Sequence, residues 1–296
     1  MQQIINKTMD LNDLKSPEAL KVVDELNNLI QELKRNELKI SSWYGRFDLT
    51  GDPRSAERIN RGYDYVAIKD AVDDRNFPWF LYWEIVWIVV NNDFQPGQTL
   101  LDLGGSSSLF SYYLASKDLK VTTVDLQKDL VDNANFVAGE MGWTLRNDVM
   151  DIRRLELSSR FDHICSLCVY EHIPLYDRIE INRMTKELLV ERGTFSITFD
   201  YRNPSSLARI SSPQDVYEQF VKPSDLTVSG NLTFFDNGTN YLLHPFYCKR
   251  DVFGWRNSFF YKRAAIKQRM FSSREFFRTK DSNDYTFGAL FLRRPA

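Results

Sequence analysis

Apolar residues recur at helical spacing in the first part of the chain and gather into short runs in the rest. Ser16 and Pro17 supply the N-cap and first turn of a predicted helix, in which leucine, valine and isoleucine return every three or four residues. A second helix is predicted from residue 52, and a third, rich in tryptophan, from Phe77 to Asn91. The pattern therefore predicts an N-terminal helical cap over residues 1–75.

After residue 98, short β-rich runs alternate with helical stretches. The runs read TLLDLG, VTTVDL, WTLRND, FDHICSL and GTFSITFD, and helices fit between them, as at Leu109–Ser116 and Asp177–Leu189. Alternation of strands and helices is typical of a parallel sheet with helices on both of its faces.

The C-terminal part adds a helix over Pro213–Phe220 and two strands, LTVSG and the closing run YTFGALFLRR. We predict an α/β fold: a Rossmann-like, doubly wound and mostly parallel sheet of seven strands, with the last strand antiparallel, in a core over residues 76–296. Residues 232–282 break the alternation, so we interpret them as a late insertion over the carboxyl edge of the sheet.

Composition narrows the class of protein. A chain of 296 residues that is 43% hydrophobic can bury a large core, and its net charge of −2 gives no general attraction to nucleic acid or membranes. The most apolar stretch, Trp79–Val90, contains Glu84 and is too short to cross a bilayer. Three cysteines are too few for a disulfide scaffold and no signal-peptide pattern begins the chain, so we expect a cytoplasmic protein.

The run TLLDLGGSSS places a flexible turn between a predicted strand and a predicted helix. In a doubly wound sheet, ligands bind at this edge, beside the first strand. Gly104 and Gly105 let the backbone approach a ligand closely, and N–H groups point outward at the start of the following helix. Such a turn suits either a dinucleotide or S-adenosylmethionine.

Two details of the turn favour S-adenosylmethionine. A dinucleotide motif has glycine at its first, third and sixth positions, which here hold Gly104, Ser106 and Leu109. The carboxylate of Asp102 would repel a pyrophosphate, whereas it would attract the ammonium group of a methionine moiety. The turn therefore disfavours a nicotinamide-dependent reductase.

Acids end three successive predicted strands. Asp125 follows Asp102 by 23 residues, where a carboxylate accepts hydrogen bonds from both ribose hydroxyls. Asp148 can accept from an adenine amino group, and its neighbour Val149 can stack on the ring. Each acid could instead only cap the next helix, but three in succession favour a cofactor site.

On these residues the chain resembles the class I S-adenosylmethionine-dependent methyltransferases, and it is most similar to the small-molecule branch that includes quinone-biosynthesis enzymes. Residues 161–200, FDHICSLCVYEHIPLYDRIEINRMTKELLVERGTFSITFD, resemble that branch's fourth strand, Glu-His-Ile turn, helix and fifth strand. The resemblance covers residues 98–200 and leaves out the N-terminal cap and the late insertion. The chain departs from the family at Ser106, usually glycine, and at residues 191–193, usually Pro-Gly-Gly.

The resemblance implies S-adenosylmethionine as cofactor and a small molecule as methyl acceptor, with the insertion over the acceptor site. The residues expected at the cofactor are Asp102, Gly104, Gly105, Ser106, Asp125, Leu126, Asp148, Val149 and Ser166. No metal is expected, because Cys165 and Cys168, three apart on a strand, point to opposite faces.

His172 is the first candidate for a catalytic base, since it follows the fourth strand beside the expected acceptor. A neutral imidazole could take a proton from a hydroxyl group as the methyl group is transferred. Tyr201, after the fifth strand, and His244, in the insertion, are rival candidates. Alternatively, Glu171 and His172 only shape the turn.

Two basic segments raise the question of the partner. Residues 249–280 contain ten Lys or Arg against two Asp or Glu, interleaved with aromatic residues, as in RNA-binding or anion-binding surfaces. Arg54, Arg58 and Arg61 share one predicted helix face and could bind an anionic group of the acceptor. Either segment could instead be a solvated helix face.

We interpret the chain as an enzyme that moves a methyl group to an oxygen or nitrogen atom of a small molecule. An RNA methyltransferase is a second hypothesis, weakened because no Asn/Asp-Pro-Pro-aromatic motif or Pro-Cys nucleophile is found. A third is a cofactor-binding partner protein without catalysis. The identity of the acceptor and the oligomeric state do not follow from the sequence.

Overall fold

A computed structural model describes residues 4–43, 47, 77, 79–203, 206–242 and 284–296. Several sequence predictions lie outside these residues: the helix from residue 52, the arginine face of residues 54–61, His244 and the basic segment 249–280. The predicted boundary at residue 75 and most of the late insertion also lie outside them.

One sheet organises the described chain. Its strands are β1 (Lys7–Thr8), β2 (Thr99–Leu103), β3 (Lys120–Asp125), β4 (Leu145–Val149), β5 (Phe161–Leu167), β6 (Leu189–Tyr201), β7 (Thr227–Val228), β8 (Tyr241–Leu242) and β9 (Asp284–Arg293). The order β4-β3-β2-β5-β6 is parallel throughout, and β9 runs antiparallel beside β6. The predicted fold class is confirmed, with short β1 and β8 added to the seven predicted strands.

The helices are α1 (Pro17–Arg35), α2 (Trp79–Val90), α3 (Leu109–Ala115), α4 (Lys128–Met141), α5 (Leu175–Leu188), α6 (Pro213–Val216) and α7 (Lys222–Ser224), the last two joined by a π-helical turn, Tyr217–Val221. Local chemistry sets several ends. Ser16 Oγ accepts from the N–H of Ala19 at 3.1 Å, and Pro17 occupies the first turn of α1. Gly142, at φ 67°, ends α4 in the left-handed conformation.

The N-terminal segment is fastened to the outer edge of the sheet. β1 pairs with β9, and the side-chain amide of Asn6 donates to the carbonyls of Ser229 (2.6 Å) and Asn231 (2.8 Å). Asn6 Oδ1 also accepts from the N–H of Phe291 at 2.8 Å. Helices α1 and α2 share one hydrophobic core with β9, so the N-terminal helices are part of the folded core.

Helix α2 is apolar on every side and is buried, as such helices are in globular proteins. No described helix combines the length and the apolar sequence that a bilayer crossing requires. The one acid of α2, Glu84, has no solvent exposure. The burial of this acid matters for the site described next.

Candidate active site

A cleft of about 680 Å³ opens at the carboxyl edge of the parallel strands. Seven of the predicted site residues line it: Asp102, Gly104, Gly105, Ser106, Asp125, Leu126 and His172. Their strands, β2, β3 and β5, end at the same edge because they run parallel. One end of the cleft, here called the glycine-loop half, consists of residues 102–106 with Asp125, Leu126, Met150 and Ile152.

The glycine loop is built around the carboxylate of Asp102. Asp102 Oδ2 accepts a hydrogen bond from Ser111 Oγ at 2.6 Å. A Cβ atom at residue 105 would lie 1.8 Å from Asp102 Oδ2, so only glycine fits there. Gly104 has φ +82°, and a Cβ atom there would also meet Val169 Cγ2 at 2.8 Å. Gly105 is therefore required by the position of the acid, and Gly104 by its backbone conformation and by Val169.

The Gly105→Ala substitution is expected to lower cofactor affinity by about 10- to 100-fold, since its methyl group would push Asp102 out of place and cost one charge-assisted hydrogen bond. Gly139→Ala is the matched control, because Gly139 lies in α4 and nothing lies within 4 Å of a Cβ atom there. Calorimetric titration with S-adenosylhomocysteine measures both. Equal affinities for the two variants would show that the loop does not hold the ligand.

Burial raises the pKa of Asp102 to about 7, and the charge of Asp125 adds to this, while the Ser111 hydroxyl opposes it. Burial also raises the pKa of Asp125, against the N–H groups of Gln127, Leu126 and Ser106, which lower it. Gln127 donates to Asp125 Oδ1 at 2.9 Å and so fixes this side chain. Both acids are thus held in place at the cleft, and a cationic or hydroxyl-bearing ligand would stabilise their ionised forms.

Ser106, where the resembling family usually has glycine, uses its hydroxyl within the protein. Its Oγ lies 2.6 Å from Thr123 Oγ1, which in turn donates to Asn147 Oδ1. The Asn147 backbone N–H donates to Asn135 Oδ1 at 3.0 Å. The departure therefore ties the glycine loop to β3, β4 and α4.

Three of the residues predicted at the cofactor are not part of the cleft lining. Asp148 forms an ion pair with Arg146, with Asp148 Oδ2 2.9 Å from Arg146 Nε. Val149 is 52% exposed, and Met150 and Ile152, just beyond it, line the cleft instead. Ser166 is buried, and its hydroxyl donates to the carbonyl of Leu103 at 3.0 Å.

Of the candidate bases that the structure describes, His172 lines the cleft and Tyr201 does not. His172 lies at the mouth of the cleft with 79% of its side chain exposed, and its Nε2 is 4.0 Å from Glu171 Oε1. Tyr201 is buried on the other face of β6, where its hydroxyl donates to Asp236 Oδ2 at 3.2 Å. Because neighbouring strand positions point to opposite faces, Asp200 lines the cleft in place of Tyr201.

The other end of the cleft was not predicted from the sequence. This end, the carboxyl-lined half, is formed by Cys168, Glu171, Asp200 and Ser206, with Glu84 of α2 behind them. The Cys168 thiol donates to Glu84, and one polar atom from each of Cys168, Glu171 and Asp200 lies within 4.8 Å of the other two. Asp200 ends a predicted strand, so the rule that selected Asp102 could have found it.

Burial dominates the titration of these acids. It raises the pKa of Glu84 to about 8 and that of Asp200 to about 7. The pKa of Glu171 is raised well above its ordinary value, first by burial and then by the charges of Asp200 and Glu84. Three carboxyl groups thus crowd one end of a cleft.

Aromatic side chains also line the cleft. Trp43 packs edge-on against Phe80, with ring centroids 4.8 Å apart, and Tyr285 packs against Phe287 at 5.7 Å. Trp43 and Tyr285 line the cleft together with Leu81 and Ile85 of α2. The N-terminal segment and the last strand therefore help to exclude water from this end.

A glycine loop closed around a buried acid, a second acid at the end of the next strand and an antiparallel last strand together define a class I S-adenosylmethionine-dependent methyltransferase. Residues 101–197 match the family described as "Methyltransferase domain". A ubiquinone biosynthesis O-methyltransferase of Coxiella burnetii is 30% identical over 177 residues, which are 53% of this chain and 74% of that protein. The chain belongs to this family, whose cofactor is S-adenosylmethionine.

Two further similarities show how far the assignment to this family extends. A ubiquinone biosynthesis O-methyltransferase of Xanthomonas campestris is 28% identical over 144 residues, 44% of this chain, and the match spans only 59% of that relative's length. The crystal structure of the YcgJ protein from Bacillus subtilis has a TM-score of 0.51 at 16% identity, covering 73% of this chain and 99% of that one. The second similarity shows the fold alone.

Proposed function

We propose that this chain transfers the methyl group of S-adenosylmethionine to an oxygen or nitrogen atom of a small molecule. The observation that carries the proposal is that one cleft joins the Asp102–Asp125 glycine loop to a second set of buried polar side chains. The two halves meet where Gly104 approaches Val169, the residue that follows Cys168. A cofactor in one half would therefore face an acceptor in the other.

The residues of the glycine-loop half fit the cofactor. Asp102 would accept from the ammonium group of its methionine part, and Asp125 from the two ribose hydroxyls. Leu126, Met150 and Ile152 offer apolar surface for the adenine ring. When bound, the cofactor supplies an electrophilic methyl group, so the protein mainly has to hold the acceptor in line with it and keep water away.

The carboxyl-lined half would position the acceptor and offer a route for its proton. Trp43 and Tyr285 shield the cleft from water, while Glu171 and Asp200 can accept hydrogen bonds from the acceptor. His172 remains our candidate base at the mouth, and it can pass a proton to solvent. We propose a cytoplasmic location for the enzyme. The alternative, an RNA methyltransferase, would depend on the basic segment 249–280, which lies outside the described residues.

S-adenosylhomocysteine is expected to bind with micromolar affinity, and NADH is not expected to bind. The loop lacks the third glycine of a dinucleotide motif, and the Asp102 carboxylate would face a pyrophosphate. Isothermal titration calorimetry with each ligand tests this. Saturable NADH binding without a response to S-adenosylhomocysteine would exclude the proposed function.

Turnover is tested by incubating the protein with S-adenosylmethionine and either a metabolite extract or total RNA. Mass spectrometry then shows which pool gains a methyl group. We expect the gain among small molecules, and a gain confined to RNA would favour the second hypothesis.

A further inference from the structure

We propose that the carboxyl-lined half binds the methyl acceptor as a cation, through a protonated amine, and that the nitrogen of this amine receives the methyl group. The inference rests on the proposed function and narrows it from oxygen or nitrogen to nitrogen. It also differs in charge from the alternative raised in the sequence analysis, in which Arg54, Arg58 and Arg61 bind an anionic group of the acceptor.

The first support is a set of buried polar atoms that have no hydrogen-bond partner in the described protein. Glu171 Oε2 and Asp200 Oδ1 are such atoms, and their residues are only 3% and 5% exposed. Ser206 Oγ and Ser42 Oγ are two more, and all four side chains line the cleft. Leaving a buried polar atom unpaired is unfavourable, so these atoms point to a ligand that forms several hydrogen bonds with them.

The second support is the sign of the charge. No lysine or arginine occurs among the described residues that line the cleft, and His172 is the one basic group there. Glu84, from α2, adds a third carboxyl group behind Cys168. A carboxylate on the acceptor would find no lysine or arginine among these residues and would oppose ionisation of the acids, whereas an ammonium group would favour their ionised forms and be attracted to them.

Arg178, a buried cation that interacts with Glu171, already has hydrogen-bond partners. Burial lowers the pKa of Arg178, in α5, to about 10, and the charge of Glu171 opposes this shift. Its guanidinium group donates to the carbonyls of Ala208 (3.0 Å) and Tyr170 (2.6 Å) and to the side chain of Gln219. Arg178 is therefore held by these carbonyls and by Gln219, while Glu171 Oε2 and Asp200 Oδ1 have no hydrogen-bond partner in the described protein.

The chemistry of an amine fits these groups. The bound ammonium group gives one proton to the carboxylate of Glu171 or Asp200, which frees the nitrogen lone pair. The N–C bond forms as the C–S bond of the sulfonium breaks, and the electron pair of that bond stays on sulfur as a neutral thioether. The product leaves as a methylated ammonium ion. His172 Nε2, 4.0 Å from Glu171 Oε1 and exposed, gives the proton a path to solvent.

Raised pKa values support this assignment. When no cation is present, burial raises the pKa values of Glu84 to about 8 and of Asp200 to about 7, and it also raises the pKa of Glu171. A bound ammonium group would lower their pKa values, so its binding should release protons. The groups facing it are those three acids, the Cys168 thiol, His172 and, from behind, Arg178.

Three probes that share one aromatic frame test the inference: 2-phenylethylamine, 2-phenylethanol and phenylacetate, each titrated into the complex with S-adenosylhomocysteine. We expect the amine to bind at least about tenfold more tightly than the alcohol, and phenylacetate not to bind. Repeating the titration in buffers of different ionisation enthalpy should show proton release for the amine alone.

Glu171→Gln and Asp200→Asn keep the shape of each side chain and remove its charge. Each should weaken binding of 2-phenylethylamine by about 10- to 100-fold and leave the affinities for 2-phenylethanol and S-adenosylhomocysteine unchanged. Glu180→Gln is the matched control, since Glu180 lies on the exposed side of α5 and pairs with Arg183. Unchanged binding of S-adenosylhomocysteine also shows that each variant is folded.

Several results would overturn the inference while leaving the proposed function intact. These are equal or tighter binding of the alcohol or of phenylacetate, no binding of any probe, and amine binding that neither variant alters. Activity that requires Mg²⁺ and is lost on chelation, without amine binding, would assign the same groups to a metal instead. Failure of S-adenosylhomocysteine itself to bind would instead remove the proposed function.

Discussion

Replacing Asp125 with alanine is expected to weaken binding of S-adenosylmethionine by two to three orders of magnitude. The variant would lose the hydrogen bonds that two ribose hydroxyls donate to a charged carboxylate, each worth about 1.5–3 kcal/mol. Asp125 is held for this role by the N–H of Gln127, at 2.9 Å. Calorimetry with S-adenosylmethionine and S-adenosylhomocysteine measures the loss.

Two variants serve as controls for Asp125→Ala. Asp132→Ala removes an exposed acid from the same region, one that pairs with Lys128, and should bind the cofactor like the parent protein. His172→Ala should keep cofactor affinity and lower the turnover rate by about 10²–10⁴-fold, as expected for loss of a proton-transfer group. If Asp125→Ala binds as tightly as the parent, the ribose contact does not exist. Normal turnover by His172→Ala would remove His172 from the mechanism.

The ligand-free protein is expected to lose stability as the pH rises from 6.5 to 8. Burial raises the pKa values of Glu84 to about 8 and of Asp102 and Asp200 to about 7, from 4.5 for Glu and 3.8 for Asp. In this range the unfolded chain has released these protons and the folded chain still holds part of them. The free energy of unfolding therefore falls with pH, by up to roughly 1.4 kcal/mol per unit for each group.

The thermal midpoint measured between pH 6.5 and 8 should accordingly drop by several degrees. Glu84→Gln, which cannot titrate, should flatten the upper part of the curve, whereas Glu180→Gln should leave it unchanged. Burial lowers the pKa of His163 from 6.5 to about 4, so its effect on stability has the opposite sign, but most of that effect falls below pH 6.5. A midpoint that rises across this range would contradict the buried-acid interpretation.

The fold and most of the glycine-loop half of the cleft could be predicted from the sequence, because parallel strands bring their last residues to one edge. Asp102 and Asp125 were found by that rule, and Asp200 obeys it too. Asp148 shows its limit: β4 continues to Val149, and the first residues beyond the strand, not its last acid, reach the cleft. The sequence pattern predicts that a strand exists. Which of its last residues reaches the cleft depends on where the strand ends in the folded sheet.

Glu84 could not have been placed from the sequence. It lies 84 residues before Cys168, its hydrogen-bond partner, and the contact exists only because α2 packs on β6 and β9. The sequence does show an acid in the middle of an apolar helix. Its pKa rises because the helix is buried away from water. Such an acid indicates a polar site near the helix, although its partner is set by tertiary packing.

The pairing of the last strand with the first has a consequence for synthesis of the protein. β9 fills the place beside β6 along Thr194–Tyr201, and β1 with Asn6 then covers the outer side of β9. While the chain is still on the ribosome, β6 is an unpaired edge and Asn6 Oδ1 lacks the N–H group of Phe291. Free strand edges recruit other chains, so the nascent protein is most prone to aggregation until residues 284–293 emerge and the sheet closes.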